Sequence, residues 1–242
     1  MNKQIHVLKS QPELIAAASE LIATAVTQAV HEHGKCAVAL AGGNTPRAVY
    51  EALASENYGK IIPWRDLHLF WGDERMVPPD HELSNFRMAN EAWLQHVQVP
   101  VENIHRIKGE LAPAEAARDY RAEMQRYFKN RAPSFDLILL GLGEDGHTAS
   151  IFPQTDAVFE NSQTAIAVFA PQMKQWRVTL TLPVINQARK IVFLVAGKAK
   201  AQIGAAVLQL EKFEIKWPAS MVQPIQGDLH WLLDADAASL LS

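Results

Sequence analysis

Cysteine is nearly absent, and that scarcity bounds the chemistry. Cys36 is the one cysteine among 242 residues, so no intrachain disulfide can form and no cysteine cluster can hold zinc. A reducing, cytoplasmic setting is the matching expectation. No continuous apolar run approaches the roughly 18–20 residues of a membrane span. The Met1–Ser10 segment is polar and lacks the pattern of a secretory leader. Charge of one sign is scarce too: the net charge is −3, and the 23 basic residues are spread along the chain. A nucleic-acid binder concentrates such residues in a stripe. The expected partners therefore include no membrane and no nucleic acid. Internal repeats, low-complexity stretches and Gly/Ser/Pro-rich linkers are all lacking, which leads us to expect a single domain over 1–242.

Several catalytic signatures are missing as well. There is no G-x-S-x-G nucleophile elbow and no H-E-x-x-H zinc motif. Gly42–Pro46 lacks the spacing and Lys-Ser/Thr ending of a Walker A loop, and Gly197-Lys198 is followed by Ala199. Cys36 lies inside an apolar strand pattern, a poor place for a nucleophile. The simplest enzyme reading that remains is histidine acid–base catalysis, without a covalent intermediate or metal.

Helical and strand patterns alternate, which argues for an α/β fold. Ser10 and Glu13 form a capping box ahead of Leu14, Ile15, Ala18, Leu21, Ile22, Ala25, Val26 and Ala29 at helical spacing. Gly34 should end that helix. Cys36–Ala41 is a continuous small-apolar run that suits a buried parallel strand. Thr45 and Pro46 read as an N-cap followed by proline at the first helical position. Further strands are expected at Leu67–Trp71, Phe135–Leu140, Ala165–Phe169, Val178–Leu182, Ile191–Val195 and Trp231–Leu233. Helices are expected over Ser84–Gln95, Pro113–Lys129 and Ala199–Leu210.

Ligands of open α/β sheets bind at the carboxyl ends of strands, which singles out Gly42–Pro46, Gly72–Arg75 and Gly141–Ser150. In the first, Gly42 and Gly43 let the backbone approach a ligand, and the capped helix that follows presents N–H groups that suit a phosphate; an ordinary tight turn would look the same. The third segment formally matches G-x-G-x-x-G. The dinucleotide reading fails because Pro153 interrupts the following helix, no acidic residue closes the strand Ala165–Phe169, and the motif lies mid-chain.

Asp145-Gly146-His147-Thr148 is more informative, because it sets a carboxylate and an imidazole side by side on a loop at a strand end. An accessible imidazole transfers protons near neutral pH. Of nine histidines, His147 has the setting for this, and the other eight receive no role. Asp73, Glu74 and Arg75 form either a solvated turn or a guanidinium site for phosphate or an oxyanion. Arg177 opens the strand Val178–Leu182. Lys200 lies in the first turn of a helix, where a cation opposes the dipole unless an anion binds there.

Taken together, AGGNTP, FWGDERMVP, FDLILLGLGEDGHTASIFP, RVTLTLPVIN and GKAKA resemble, in order and spacing, the 6-phosphogluconolactonase family over essentially the whole chain. The resemblance implies a modified Rossmann-like, three-layer α/β sandwich with a mostly parallel central sheet, shared with glucosamine-6-phosphate deaminase. It implies hydrolysis of 6-phospho-D-glucono-1,5-lactone to 6-phosphogluconate in the oxidative pentose phosphate pathway, without a cofactor. It implies that His147 is the catalytic base and Arg75 an active-site arginine. Gly43, Asn44 and Thr45 match the substrate loop, although the family often has serine where Asn44 stands. Arg177 and Lys200 match phosphate ligands, with Lys198 the alternative within GKAKA. Either Asp145 or Asp73 orients the histidine or the water. Ser84 and Asn85 match a family pattern near the site.

The nearest rival is a glucosamine-6-phosphate isomerase/deaminase, which resembles this chain in its Asp-Gly-His core. That family continues DGHIAFNEP with a glutamate used in ring opening, and Phe152 stands in its place here. The other rival is a non-catalytic sugar-phosphate sensor, which would be expected to carry a further binding module and could dispense with His147.

Overall fold

The computed structural model describes residues 2–210 and 216–241. In chain order the elements are β1 (Asn2–Leu8), α1 (Gln11–His33), β2 (Cys36–Leu40), α2 (Asn44–Leu53), α3 (Glu56–Gly59), β3 (Leu67–Trp71), β4 (Asp73–Arg75), α4 (Asn85–Ala92), β5 (Ile104–His105), α5 (Pro113–Tyr127), β6 (Leu137–Leu140), β7 (Ala165–Ala170), β8 (Gln175–Leu180), α6 (Leu182–Asn186), β9 (Lys190–Val195), α7 (Ala201–Leu208) and β10 (Asp228–Asp234). Seven strands form one parallel sheet in the order β1-β10-β9-β6-β2-β3-β5, and β4-β8-β7 form a small antiparallel sheet. From β2 the chain runs outward through β3 and β5, returns to β6 on the other side of β2, and runs outward again through β9 and β10. The order therefore reverses between β2 and β6, and the crevice beyond their carboxyl ends is where ligands bind in such sheets.

The central strands are apolar throughout because both faces are covered. All five residues of β2 and all four of β6 are buried, each branched side chain contributing roughly 1.5–3 kcal/mol. α1 is long and apolar enough to cross a membrane by length and composition, although polar residues such as Glu13 and Glu20 interrupt its apolar run. Its Leu14, Ala18, Ile22 and Val26 are buried, and it packs against β2, β6, β10 and α2, as an amphipathic core helix does. Ser10 Oγ accepts from Glu13 N–H at 3.4 Å, while the Glu13 carboxylate reaches the Lys9 N–H at 3.1 Å rather than that of Ser10. Gly34 ends the helix in the left-handed region.

Two buried tyrosines fasten the points where the chain leaves the sheet. The Tyr50 hydroxyl accepts from Ala41 N–H at 3.0 Å and donates to Ala41 C=O at 2.9 Å. The Tyr120 hydroxyl does the same to Trp71, at 2.9 and 2.8 Å. Each phenol satisfies a backbone pair that would otherwise be buried and orphaned. Ala41 and Trp71 immediately precede Gly42 and Gly72, so both turns are launched from pinned backbone.

Several expected elements shift. β1 falls where a polar N-terminus was read; its alternating burial is that of an edge strand. Thr45 is not the cap of α2. Gly43 occupies that position with no side-chain hydrogen bond, and the helix begins at Asn44. Ser84 caps α4, which stops at Ala92 because Trp93 leaves helical geometry to bury its ring. β8 runs Gln175–Leu180, so Arg177 sits within the strand rather than opening it, and α6 begins at Leu182, where the strand was expected to end. Lys200 ends a 3₁₀ turn over Lys198–Lys200 and caps α7. The expected helix end at Leu210 shortens to Leu208.

Candidate active site

A cavity of about 570 Å³ opens at the β2/β6 reversal. Its walls include Gly42 and Gly43 after β2, Gly72, Asp73 and Arg75 after β3, and Gly141–Asp145 and His147 after β6. Gln172, Met173 and Arg177 come from the β7–β8 hairpin, and Lys200 from the start of α7. All three glycine-rich segments singled out by sequence thus meet at one place.

The His147 ring is held from several sides. Its Nδ1 lies 2.5 Å from Asp145 Oδ1, and the same oxygen accepts the His147 N–H at 3.0 Å. Burial pushes the Asp145 carboxyl up, but the hydrogen bonds and the charge of His147 outweigh it, so the net shift is downward. With Nδ1–H donated to this carboxylate, Nε2 is the nitrogen left to accept a proton. Between two candidate carboxylates, the histidine's partner is Asp145. The ring also packs on Phe152, centroids 4.5 Å apart. Gly143 lies so close that a Cβ there would fall 2.1 Å from Nδ1, so only glycine leaves room for the imidazole in this position.

Asp73 serves a different purpose. Its Oδ2 accepts from Ser150 Oγ at 2.5 Å and lies 3.6 Å from Arg177 Nη1. Asn85 Nδ2 donates to Asp73 C=O at 2.9 Å and to Oδ1 at 3.2 Å. Asn85 also presses on the glycine loop, where a Cβ at Gly42 would lie 2.0 Å from its Oδ1. Asp73 therefore joins the hairpin, the His147 loop and the α4 cap without touching the imidazole in this arrangement.

Glu74 is a buried carboxylate with four donors: Asn85 N–H at 2.7 Å, Phe86 N–H and Arg75 N–H at 2.8 Å, and Ser84 Oγ at 3.1 Å. Burial pushes it up, and the three backbone donors partly offset this. A carboxylate at the N-terminus of α4 suits the dipole. It also holds the segment whose Leu83 C=O accepts from Arg75 Nη1 at 2.6 Å.

Arg75 and Arg177 are cross-strand neighbours on β4 and β8. Both keep a buried Nε with no partner. Arg177 is 7% exposed; its Nη1 lies 3.6 Å from Asp73 Oδ2, and its Nη2 lies 3.2 Å from the Met173 sulfur. Burial lowers its pKa, and Asp73 pulls it back up. Such under-coordinated guanidinium groups beside a cavity are suited to an oxyanion. Phe152 lies within reach of both sides of the site, with Arg177 Cζ 5.8 Å from its ring. Lys200 Nζ lies 3.9 Å from the exposed Glu144.

This chain belongs to the glucosamine-6-phosphate isomerase and 6-phosphogluconolactonase family. The family's sequence profile, described as Glucosamine-6-phosphate isomerases/6-phosphogluconolactonase, matches residues 9–231. A 6-phosphogluconolactonase of Synechocystis sp. is 43% identical over 245 residues, spanning 100% of this chain and 99% of that protein. The crystal structure of 6-phosphogluconolactonase from Thermotoga maritima superimposes with a TM-score of 0.83 at 31% identity, covering 96% of this chain and 100% of that one. A monomeric glucosamine-6-phosphate deaminase shares the fold, with a TM-score of 0.82 at 21% identity over 98% of this chain and 99% of that one.

Within this family fold, the residues singled out by sequence do not all converge. Gly42, Gly43, Asp73, Arg75, Asp145, His147, Arg177 and Lys200 line the cavity; Asn44 and Thr45 stand beyond its walls at the start of α2. Lys198 is also outside the walls. Gln172 and Met173 carried no sequence signal, and Phe152 read only as a missing glutamate; the fold sets Gln172 and Met173 in the cavity wall and Phe152 against the His147 ring. Among the described residues no group of three or more His, Cys, Asp or Glu side chains could hold a metal ion.

Proposed function

We propose that the chain hydrolyses 6-phospho-D-glucono-1,5-lactone to 6-phospho-D-gluconate in the pentose phosphate pathway, with His147 as general base. The observation that carries this is the His147 Nδ1 contact to Asp145 in a cavity that also holds Arg75, Arg177 and Lys200. The family and its lactonase relatives supply the substrate.

The substrate phosphate docks against Arg177 and Lys200, with Gly42, Gly43, Asn44, Thr45 and the N-terminus of α2 contributing at the rim. Neutral His147 takes a proton at Nε2 from a water as its oxygen attacks C1, and Asp145 stabilises the imidazolium that forms. Arg75 or the loop N–H groups receive the charge on the carbonyl oxygen. The tetrahedral adduct collapses, the C1–ring oxygen bond breaks, and His147 returns its proton to that oxygen. General base catalysis contributes roughly 10²–10⁴-fold and an oxyanion donor roughly 10²–10³-fold. Those factors suffice for an activated ester without a covalent step. Asp73 acts by positioning Arg177 and Ser150. Cys36, buried and unpaired, suits a reducing compartment such as the cytoplasm.

The test generates the lactone in situ and follows its loss with purified protein at mildly acidic pH, where spontaneous opening is slow. Decay well above the blank is expected. Blank-level decay, with turnover of glucosamine 6-phosphate instead, would transfer the chain to the deaminase branch. Phe152 argues against that outcome, because a phenyl ring cannot move a proton.

A further inference from the structure

The tip of the β7–β8 hairpin presents an oxidisable sulfur to the anion subsite. β7 and β8 pair up to Ala170↔Gln175, and Phe169 packs edge-on against Trp176 at 5.6 Å just below the tip. The four residues between are a 3₁₀ turn over Pro171–Met173, closed by Lys174 at φ 47° with its N–H on Pro171 C=O. This tight tip sets Met173 over the cavity, with Sδ 3.2 Å from Arg177 Nη2. Met173 is 45% exposed, while Met76, Met88, Met124 and Met221 are partly or fully buried. The chain's thiol is no competitor, since Cys36 has no exposed surface.

A thioether is a weak acceptor, which leaves Arg177 poorly satisfied and open to a better one. We propose that Met173 is an oxidation site that controls the anion subsite: its sulfoxide oxygen caps Arg177 where substrate phosphate would bind. This rests on reading Arg177 as a phosphate ligand. The oxidant is a hydroperoxide. The sulfur lone pair attacks one peroxide oxygen, an S–O bond forms and the O–O bond breaks. The leaving oxygen takes up the proton and departs as the alcohol, or as water when the oxidant is hydrogen peroxide, so sulfur is oxidised by two electrons and peroxide reduced by two. The product is polar and a strong acceptor, and it sits on a guanidinium that already faces it. A thiol-dependent sulfoxide reductase reverses the step.

The experiment treats the whole enzyme with hydrogen peroxide, removes the peroxide, maps each methionine by peptide mass and measures steady-state kinetics on the phosphorylated lactone. Met173 should gain oxygen ahead of Met76, Met88, Met124 and Met221. KM should rise on the order of tenfold, the effect of one charge-assisted hydrogen bond made in competition, with kcat changed far less. Sulfoxide reductase with a dithiol should restore KM. Met173→Leu, compared with its own untreated state, should lose the response, and Met173→Gln, which carries an amide oxygen, should raise KM without peroxide. Complete oxidation of Met173 with KM unchanged would overturn the proposal, as would an equal response in Met173→Leu. Arg177→Ala tests the underlying reading separately: an unchanged KM in that variant would remove the phosphate assignment, and this proposal with it.

Discussion

Gly143→Ala isolates the geometry of the base from its chemistry. The substitution adds one methyl group, and the Gly143 backbone lies outside the left-handed region, so alanine fits it. The added carbon would fall 2.1 Å from His147 Nδ1, 2.3 Å from Cε1 and 2.7 Å from Cγ. To restore an ordinary contact of at least 3.4 Å, the ring must retreat by more than 1 Å. The 2.5 Å contact to Asp145 does not survive that movement. A misplacement of about 1 Å costs on the order of 10²-fold, and loss of the oriented tautomer adds to it, so kcat should fall by roughly 10²–10³-fold. The ring swings at little cost to the fold, so the melting temperature should drop by no more than about 2–4 °C, equivalent to about 1 kcal/mol in a chain of this size. Affinity for 6-phosphogluconate should stay within about threefold, since the cations are untouched. Steady-state kinetics, a melting curve and product titration on the same preparation read all three. A folded variant with kcat within about threefold of wild type would refute the reasoning, because the observed ring position would then not be the working one.

Asp145→Asn keeps the shape but cannot stabilise the imidazolium; kcat should fall by about 10²-fold or more with KM nearly constant, and equal loss in KM would contradict the role. Arg177→Ala and Lys200→Ala should each weaken 6-phosphogluconate binding by roughly 10-fold or more, with little effect on unphosphorylated gluconate, and calorimetric titration of both ligands decides it. The β3–β5 edge should be acid-sensitive. Burial, then the neighbouring charges of His105 and Lys35, hold the His68 imidazole at about 4, and burial also lowers His105 against the pull of Glu123. Both folded values are depressed, so the unfolded chain binds more protons between about pH 4 and 6.5, and stability is full above that window and lost as pH falls through it. At pH 5, His68 should withhold on the order of 1 kcal/mol after discounting for its partial exposure. His68→Phe should flatten the dependence of melting temperature on pH, and an unchanged slope would rule His68 out as its source.

The sequence was legible where local chemistry decides the outcome. Apolar runs such as Cys36–Ala41 and Phe135–Leu140 suit buried strands, and the glycine after each marked the crevice. His147 and Asp145 were legible because they are two residues apart. What stayed hidden depends on contacts between distant segments. The choice of Asp145 over Asp73 as the histidine's partner required knowing that Ser150 and Arg177 meet Asp73. Phe152 read only as the absence of a glutamate, and its place between His147 and Arg177 exists only in three dimensions. The cap of α2 was misread because Thr45-Pro46 carries the usual cap signal, whereas here Gly43 supplies a backbone bend that no side chain needs to close. β1 was missed because an edge strand with one wet face carries only a weak alternation.

The most direct measurement compares wild type with His147→Ala on lactone generated in situ, across pH and against an enzyme-free blank. The expected result is rapid decay with wild type. The variant should decay at close to the blank rate while still binding 6-phosphogluconate within a few-fold of wild type. A variant that turned over within a few-fold of wild type, with the same pH profile, would contradict His147 as the base.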